Sequence, residues 1–318
     1  MTSKIKKKIF LAGHNGMVGS AILRNLSKLS NIDIHIRKRS ELDLLNQTQL
    51  SNFFKSHKFD EVYIAAAKVG GIWANSKYPA EFIYENLMME VNLIHQSFIN
   101  DIKKILFLGS SCVYPKDNTQ PISESSLLSG KLESTNEPYA IAKIAGIKMC
   151  ESYNRQYGVD YRSIMPTNLY GPNDNFHKEN SHVIPALIRK FHDAKTIKSK
   201  EIIIWGTGNA KREFLYVDDM AKATIHFMNM SKKQLETKIS PMLSHVNVGA
   251  GKDISIKDLA SLISKVVGYK GKIVYDPSKP DGTLRKRLDT TIIESFGWKP
   301  NRLPLTYTRC LFIIILIF

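Results

Sequence analysis

KIFLAGHNGMVGSAILRNLSKL, residues 8–29, is the stretch whose reading decides the fold. Its first half is a short unbroken apolar run, the pattern of a strand buried on both faces. From Met17 onward apolar residues recur at helical spacing. Between the two halves Gly13, Gly16 and Gly19 make the pattern G-x-x-G-x-x-G, after a strand and at the mouth of a helix. The first amides and the dipole of such a helix favour a pyrophosphate. Residues without a side chain let the backbone approach it. Strand, glycine turn and helix in this order predict a parallel α/β unit that binds a dinucleotide through Gly13, His14, Asn15, Gly16, Met17, Val18 and Gly19.

The next strand, IDIHI (32–36), runs into Arg37, Lys38 and Arg39. A carboxylate near this point binds the ribose 2′-hydroxyl of NAD, whereas a cation accommodates the 2′-phosphate of NADP. NADPH is therefore the expected cofactor, with Arg39 as the main 2′-phosphate contact and Arg37 as helper; the competing reading is a solvated charged turn. A third strand, EVYIAAAKVGG (61–71), ends in small residues, so Ala65 and Ala66 let a dinucleotide lie flat across the strand ends. Residues 79–99 follow the spacing of a long helix. A fourth strand, KILFLG (104–109), delivers Ser110, Ser111 and Cys112. After a polar loop from Lys116 to Asn136, Pro138 opens a helix carrying Tyr139 and Lys143. Residues four apart on a helix have Cβ atoms about 5–6 Å apart. The Lys143 ammonium is thus expected to lower the phenol pKa of Tyr139 from ~10, fitting it to protonate an oxygen that Ser110 also holds. Y-x-x-x-K alone is a common pattern, and its weight comes from the segments around it.

Glycine turn, Ser-Ser-Cys and proline-led tyrosine helix together resemble the extended short-chain dehydrogenase/reductase family, in which a tyrosine, a lysine and a serine or threonine work over a nicotinamide ring. Within it, GSSCVYP (109–115), NEPYAIAKIAGIK (136–148), PTNLYGPNDNF (166–176) and NSHVIPALIRKF (180–191) resemble the GDP-L-fucose synthases, from about Ile9 to Pro300. The resemblance implies a Rossmann-type doubly wound parallel sheet over residues 1–170 and a smaller C-terminal α/β lobe over 171–318 that serves mainly the substrate, with an atypical tail after about residue 300. It implies reduction by Ser110, Tyr139 and Lys143, with Cys112 and His182 as the base and acid that epimerise the sugar. Along the cofactor it places Asp43, Leu44, Leu108, Gly109, Lys143, Pro166, Thr167, Asn168, Leu169 and His182. On a GDP-sugar it places Lys190, Trp205, Arg212, Asp281 and Lys286. Arg212 and Asp218 match a signature of the extended family. Several of these have a second reading. Asp43 equally suits a cap for the helix that begins near Asn46, Trp205 equally suits a core, and Cys112 and His182 are residue types that more often serve structure.

The reaction implied is inversion of C3 and C5 of GDP-4-keto-6-deoxy-D-mannose, then NADPH-dependent reduction at C4. Related 4,6-dehydratases carry an Asp-Glu pair where this chain has Cys112-Val113, so dehydration is not expected. The alternatives are another nucleotide-sugar epimerase or reductase of the family, such as a UDP-sugar 4-epimerase, and an inactive NADP-binding regulatory homologue. A homodimer joined through the 79–99 helix and the Tyr139 helix is also implied; packing within one subunit is the other use for those faces.

The formal net charge of +16, from 45 Lys and Arg against 29 Asp and Glu, is spread along the chain without a nucleic-acid motif. Nucleic acid is not an expected partner, and the excess suits a small polyanion instead. Cys112, Cys150 and Cys310 cannot all pair and show no C-x-x-C spacing, which predicts a reducing cytoplasmic setting and no metal centre. The N-terminal IFLA is too short for a signal peptide. The closing LFIIILIF (311–318) falls far short of the ~20 residues that span a bilayer. Past Pro300 the resemblance stops.

Overall fold

The computed structural model describes residues 6–177, 181–279 and 281–301; the apolar ending, 311–318, lies outside them. Strand β1 (Lys7–Ala12) passes through the glycine turn into helix α1 (Met17–Leu26). The alternation continues with β2 (Ile32–His35), α2 (Gln47–Ser56), β3 (Glu61–Ile64), α3 (Ile72–Lys77), α4 (Pro79–Ile99), β4 (Lys104–Leu108), α5 (Glu137–Tyr157) and β5 (Asp160–Pro166). Next come β6 (Asn168–Tyr170), α6 (Val183–Thr196), β7 (Glu201–Trp205), β8 (Lys211–Tyr216), α7 (Val217–Asn229), α8 (Lys232–Leu235) and β9 (His245–Val248). The described part closes with β10 (Asp253–Ser255), α9 (Ile256–Val267), β11 (Lys272–Asp276), β12 (Arg285–Lys286) and α10 (Thr291–Ser295).

The first sheet runs β2-β1-β3-β4-β5-β9 with every neighbouring pair parallel. Successive side chains on a strand face opposite ways, so each strand feeds two apolar layers. Phe10, Val62, Ile64, Ile105 and Phe107 join the layer beneath α2, α4 and α5. Ile9, Leu11, Tyr63, Leu106 and Leu108 join the layer beneath α1 and α7. This double burial is why the strands read as unbroken apolar runs. From β1 the chain goes to β2 on one side and to β3 on the other, which opens a crevice beyond the carboxyl ends of β1 and β3. Open α/β sheets bind ligands at such a switch point.

The second lobe forms around β8, which pairs with β6, β10 and β12. A separate β7–β11 ribbon, α6 and α9 enclose a third apolar cluster with Phe191, Phe214 and Ile263 at its centre. Residues after 170 build mainly, though not wholly, this second lobe. Helix α7 packs on α1, β9 extends the first sheet beside β5, and Ile293 of α10 enters the layer beneath α1. Without them the edge of β5 and the apolar face of α1 would stand uncovered. Asp218 belongs to this return: it accepts from Arg24 at 3.0 Å and Asn25 at 3.0 Å, tying α7 to α1.

Candidate active site

The glycine turn is shaped by close approach. Gly13 has φ +88°, and a Cβ there would sit 2.4 Å from the Ala66 amide nitrogen. A Cβ on Gly19 would lie 2.0 Å from the Gly13 carbonyl oxygen, so α1 can rest on the turn only with glycine at this position. Gly16 is the N-cap, with no side-chain cap and no acidic residue in the first turn of α1. A Cβ at Gly16 would make ordinary contact at 3.6 Å, so the face it presents is not filled by protein. An uncapped N-terminus with an open face beyond the switch point fits a pyrophosphate. Ala65 and Ala66 border it, Ala66 being buried.

Beside this turn a cavity of about 240 Å³ is lined by His14, Ile36, Arg37, Lys38 and Glu41. His14 is buried, its Nδ1 has no partner, and burial lowers its pKa, with Glu41 opposing and Lys38 adding. The Arg37 guanidinium donates to the Ile36 carbonyl at 2.8 Å and lies 5.2 Å over the Phe53 ring. Arg39, expected as the main phosphate contact, is 76% exposed and points toward Glu85 at 4.0 Å. The cavity is thus walled by Arg37 and Lys38, and Arg39 stands outside it. Asp43 accepts from the Leu45 amide at 3.1 Å and closes a turn; the cap of α2 is Asn46, which accepts from Gln49.

At the carboxyl end of β4, Leu108 and Gly109 are buried. Ser110 begins a single 3-10 turn over Ser111–Val113, its Oγ accepting from the Cys112 amide at 3.2 Å. The Tyr139 phenol faces Ser110 and Cys112, both of which act on it. Its phenol is raised above the ordinary value first by burial, then by the charges of Cys112 and Glu90, with the Ser110 hydroxyl pulling the other way. Ser110, Cys112 and Tyr139 are therefore brought together. The expected lowering of the phenol by Lys143 is corrected. Lys143 is 2% exposed at its side chain and forms an ion pair of 2.8 Å with Glu90, itself 1% exposed. Its Nζ lies 4.7 Å from the centre of the Phe107 ring and 5.9 Å from that of Tyr139. The carboxylate offsets the ammonium, so burial decides the phenol, which keeps its proton at neutral pH. Sequence reasoning passed over Glu90. The available signal was a carboxylate on the buried stripe of α4 that also carries Phe82, Asn86, Leu93 and Ile94.

Thr167 Oγ1 and Asn168 Nδ2 both donate to the Glu213 carbonyl, at 3.2 and 2.9 Å, so these side chains fasten the β5–β6 passage to β8. Pro166 and Leu169 flank them, both half-buried. Glu213 is fully buried, accepts from Gly251 and Leu288 at 2.7 and 2.9 Å, and binds the edges of the second lobe together. His182 is the N-cap of α6; the residue is exposed, yet crowding by the surrounding chain lowers its pKa by desolvation.

In the second lobe Trp205 is 68% exposed, with Lys279 Nζ 5.7 Å from its ring, so it is not a core residue. Lys190 donates to the Ile203 carbonyl, and burial lowers its pKa. Arg212 donates to the carbonyls of Lys211 and Thr283, and its nearest strand partner on β12 is Lys286. Asp281 accepts from the Thr207 amide and hydroxyl at 2.8 and 2.7 Å, which orders the loop. Arg285 is paired with Asp253. Arg212 and Lys286 are register partners across β8 and β12, two adjacent cations of the kind that suits a diphosphate.

Residues 9–249 match the model of the NAD dependent epimerase/dehydratase family. The chain is 59% identical over 293 residues, 92% of its length and 91% of the relative's, to the GDP-L-fucose synthase of Escherichia coli strain K12. It is 54% identical over 295 residues, 92% of its length and 87% of the relative's, to probable GDP-L-fucose synthase 1 of Oryza sativa. A solved GDP-mannoheptose C4 reductase of Campylobacter jejuni, with NADP bound, superposes with a TM-score of 0.88 at 38% identity, covering 98% of this chain and 99% of that one.

Proposed function

Because the chain belongs to the NAD dependent epimerase/dehydratase family, we propose that it converts GDP-4-keto-6-deoxy-D-mannose to GDP-L-fucose by inverting C3 and C5 and then reducing C4 with NADPH. The glycine turn would hold the pyrophosphate, Arg37, Lys38 and Arg39 the 2′-phosphate, and Lys143 the nicotinamide ribose. NADPH, when bound, supplies the electron pair and the hydrogen that reduce C4. Arg212, Lys286 and Trp205 receive the GDP moiety, with Lys190 beside them.

The C4 ketone acidifies the hydrogens on both adjacent carbons. Cys112, as thiolate, removes the proton from C3 and, in a second round, from C5. His182 returns a proton from the opposite face each time, which inverts the centre. Tyr139 then gives its phenolic proton to the C4 oxygen while the Ser110 hydroxyl holds that oxygen in line. The observation that carries this reading is the meeting of Ser110, Cys112 and Tyr139 at the end of β4.

Exposed Tyr84, Val91 and Ile99 of α4 and Ile141 and Tyr157 of α5 support a homodimer joined through these two helices. The free thiols of Cys112 and Cys150 support a reducing, cytoplasmic setting. The test is incubation of the protein with NADPH and the keto sugar in deuterated water. Loss of reduced-cofactor absorbance with deuterium at C3 and C5 of the product is expected. Cofactor oxidation without exchange reduces the function to a 4-reductase, and no oxidation overturns it.

A further inference from the structure

The ion pair between Glu90 and Lys143 is buried in a protein whose other charges lie mostly at the surface, and three elements are shaped around it. Helix α4 supplies the carboxylate, α5 the ammonium, and β4 the Phe107 ring against which the ammonium rests at 4.7 Å. Gly146, one turn beyond Lys143, leaves the room: a Cβ there would meet Phe107 Cζ at 2.4 Å and Glu90 Oε2 at 3.0 Å. Helices α4 and α5 pack along their length, which fixes the two side chains on facing surfaces. A buried pair of this kind is seldom a net gain in stability over a well-packed apolar pair, so its presence asks for another role.

We propose that Glu90 is a positioning residue for the reduction: its carboxylate holds the Lys143 ammonium in place and balances its charge, so that Tyr139 reaches the ketone still carrying its proton. The ionisable groups facing this pair are Tyr139 and Cys150 from α5 and, through Tyr139, Cys112 from the turn after β4. Among them only Lys143 carries positive charge. Without the carboxylate two things can follow. If Lys143 keeps its proton, its field acts on Tyr139 unopposed and favours phenolate. If Lys143 instead loses its proton, as an ammonium out of water without a counter-charge tends to, the cation is missing at high pH. Either course moves the alkaline loss of activity to lower pH.

This inference rests on Tyr139 being the proton donor, and the experiment separates the two. The rate of C4 reduction is measured against pH in the full-length wild-type protein and in Glu90→Gln and Glu90→Asp, with C3/C5 deuterium exchange followed in parallel. The alkaline limb is expected to move down by about one pH unit or more in Glu90→Gln and by less in Glu90→Asp, which keeps the charge at a longer reach. Exchange at C3 and C5, which does not use the Tyr139 proton, is expected to keep its pH profile. A limb that stays in place while the rate falls by one factor at every pH overturns the proposal and leaves Glu90 a packing residue. Should Glu90→Gln not fold, the Asp variant decides by the same criterion. A wild-type protein that reduces nothing, or whose Tyr139→Phe variant reduces at the same rate, overturns the reading beneath it instead.

Discussion

Replacing Gly16 and Gly19 separately by alanine divides what the glycine turn does for the fold from what it does for the cofactor. At Gly19 the added Cβ would lie 2.0 Å from the Gly13 carbonyl oxygen, and both partners are backbone. The helix and the turn must part by about 1 Å to restore a tolerable contact, a strain in the range of roughly 1–3 kcal/mol seen for overpacked sites. Alanine regains about 0.5–1 kcal/mol over glycine within a helix. The net loss is about 1–2 kcal/mol, which lowers Tm by about 1.5–3 °C for a chain of 318 residues. At Gly16 the new Cβ makes ordinary contact at 3.6 Å, and the backbone sits at φ −73°, which alanine adopts freely. The fold then loses only about 0.5 kcal/mol of N-cap preference, but the methyl stands on the face that would meet the pyrophosphate. Thermal melts of the free protein and NADPH titration by quenching of protein fluorescence give both readings. Gly19→Ala is expected to lower Tm and affinity together, whereas Gly16→Ala should leave Tm within about 1 °C and weaken NADPH by tenfold or more, about 1.4 kcal/mol. NADPH binding to Gly16→Ala at wild-type strength would refute the placement of the pyrophosphate, and an unchanged Tm in Gly19→Ala would refute the steric account.

Cys112→Ser is expected to remove C3/C5 deuterium exchange while still reducing a sugar already epimerised, and Tyr139→Phe to do the reverse, each by about 10²–10⁴-fold; exchange at the wild-type rate in Cys112→Ser would remove the thiol from the mechanism. Arg37→Ala should raise KM for NADPH by about tenfold, the worth of one charge-assisted phosphate contact, and leave NADH unaffected, so equal losses for both cofactors would refute its role. Asp174 offers a stability test, because burial pushes its carboxyl up to about 6 from the ordinary 3.8. A carboxyl whose folded pKa lies above its unfolded value destabilises the fold where both states are ionised, and that penalty fades as pH falls from about 6 to about 4. Asp174→Asn is therefore expected to be more stable than wild type by about 1–2 kcal/mol at pH 7 and equal to it near pH 4, as read by denaturant melts; a gain of the same size at both values would contradict the burial argument.

Much of the first lobe was legible because its signals are local. An apolar run, a glycine turn and an amphipathic helix are contiguous in residues 8–29, and the parallel sheet follows from their repetition. Tyr139 and Lys143 share a helical turn by spacing alone. The lobe boundary was less legible, since whether α7 and β9 serve the first sheet depends on which edge lies uncovered once the chain is folded. Trp205 was ambiguous for the same reason. An indole between alternating apolar residues reads alike on a covered or an open strand, and only the position of the β7–β11 ribbon leaves it exposed.

The sequence by itself determined the parallel α/β scaffold, the anion-ready glycine turn and the identity of the chemical groups, because each depends on residues within a few positions of one another. Only the tertiary structure decided the electrostatics of the site. Glu90 lies 53 residues before Lys143 in the chain yet 2.8 Å from it in space, and burial, first among the causes, raises the phenol of Tyr139. Charge acts through space and strengthens where water is excluded, so the protonation of the central phenol is set by which helices pack together, a fact no local pattern carries.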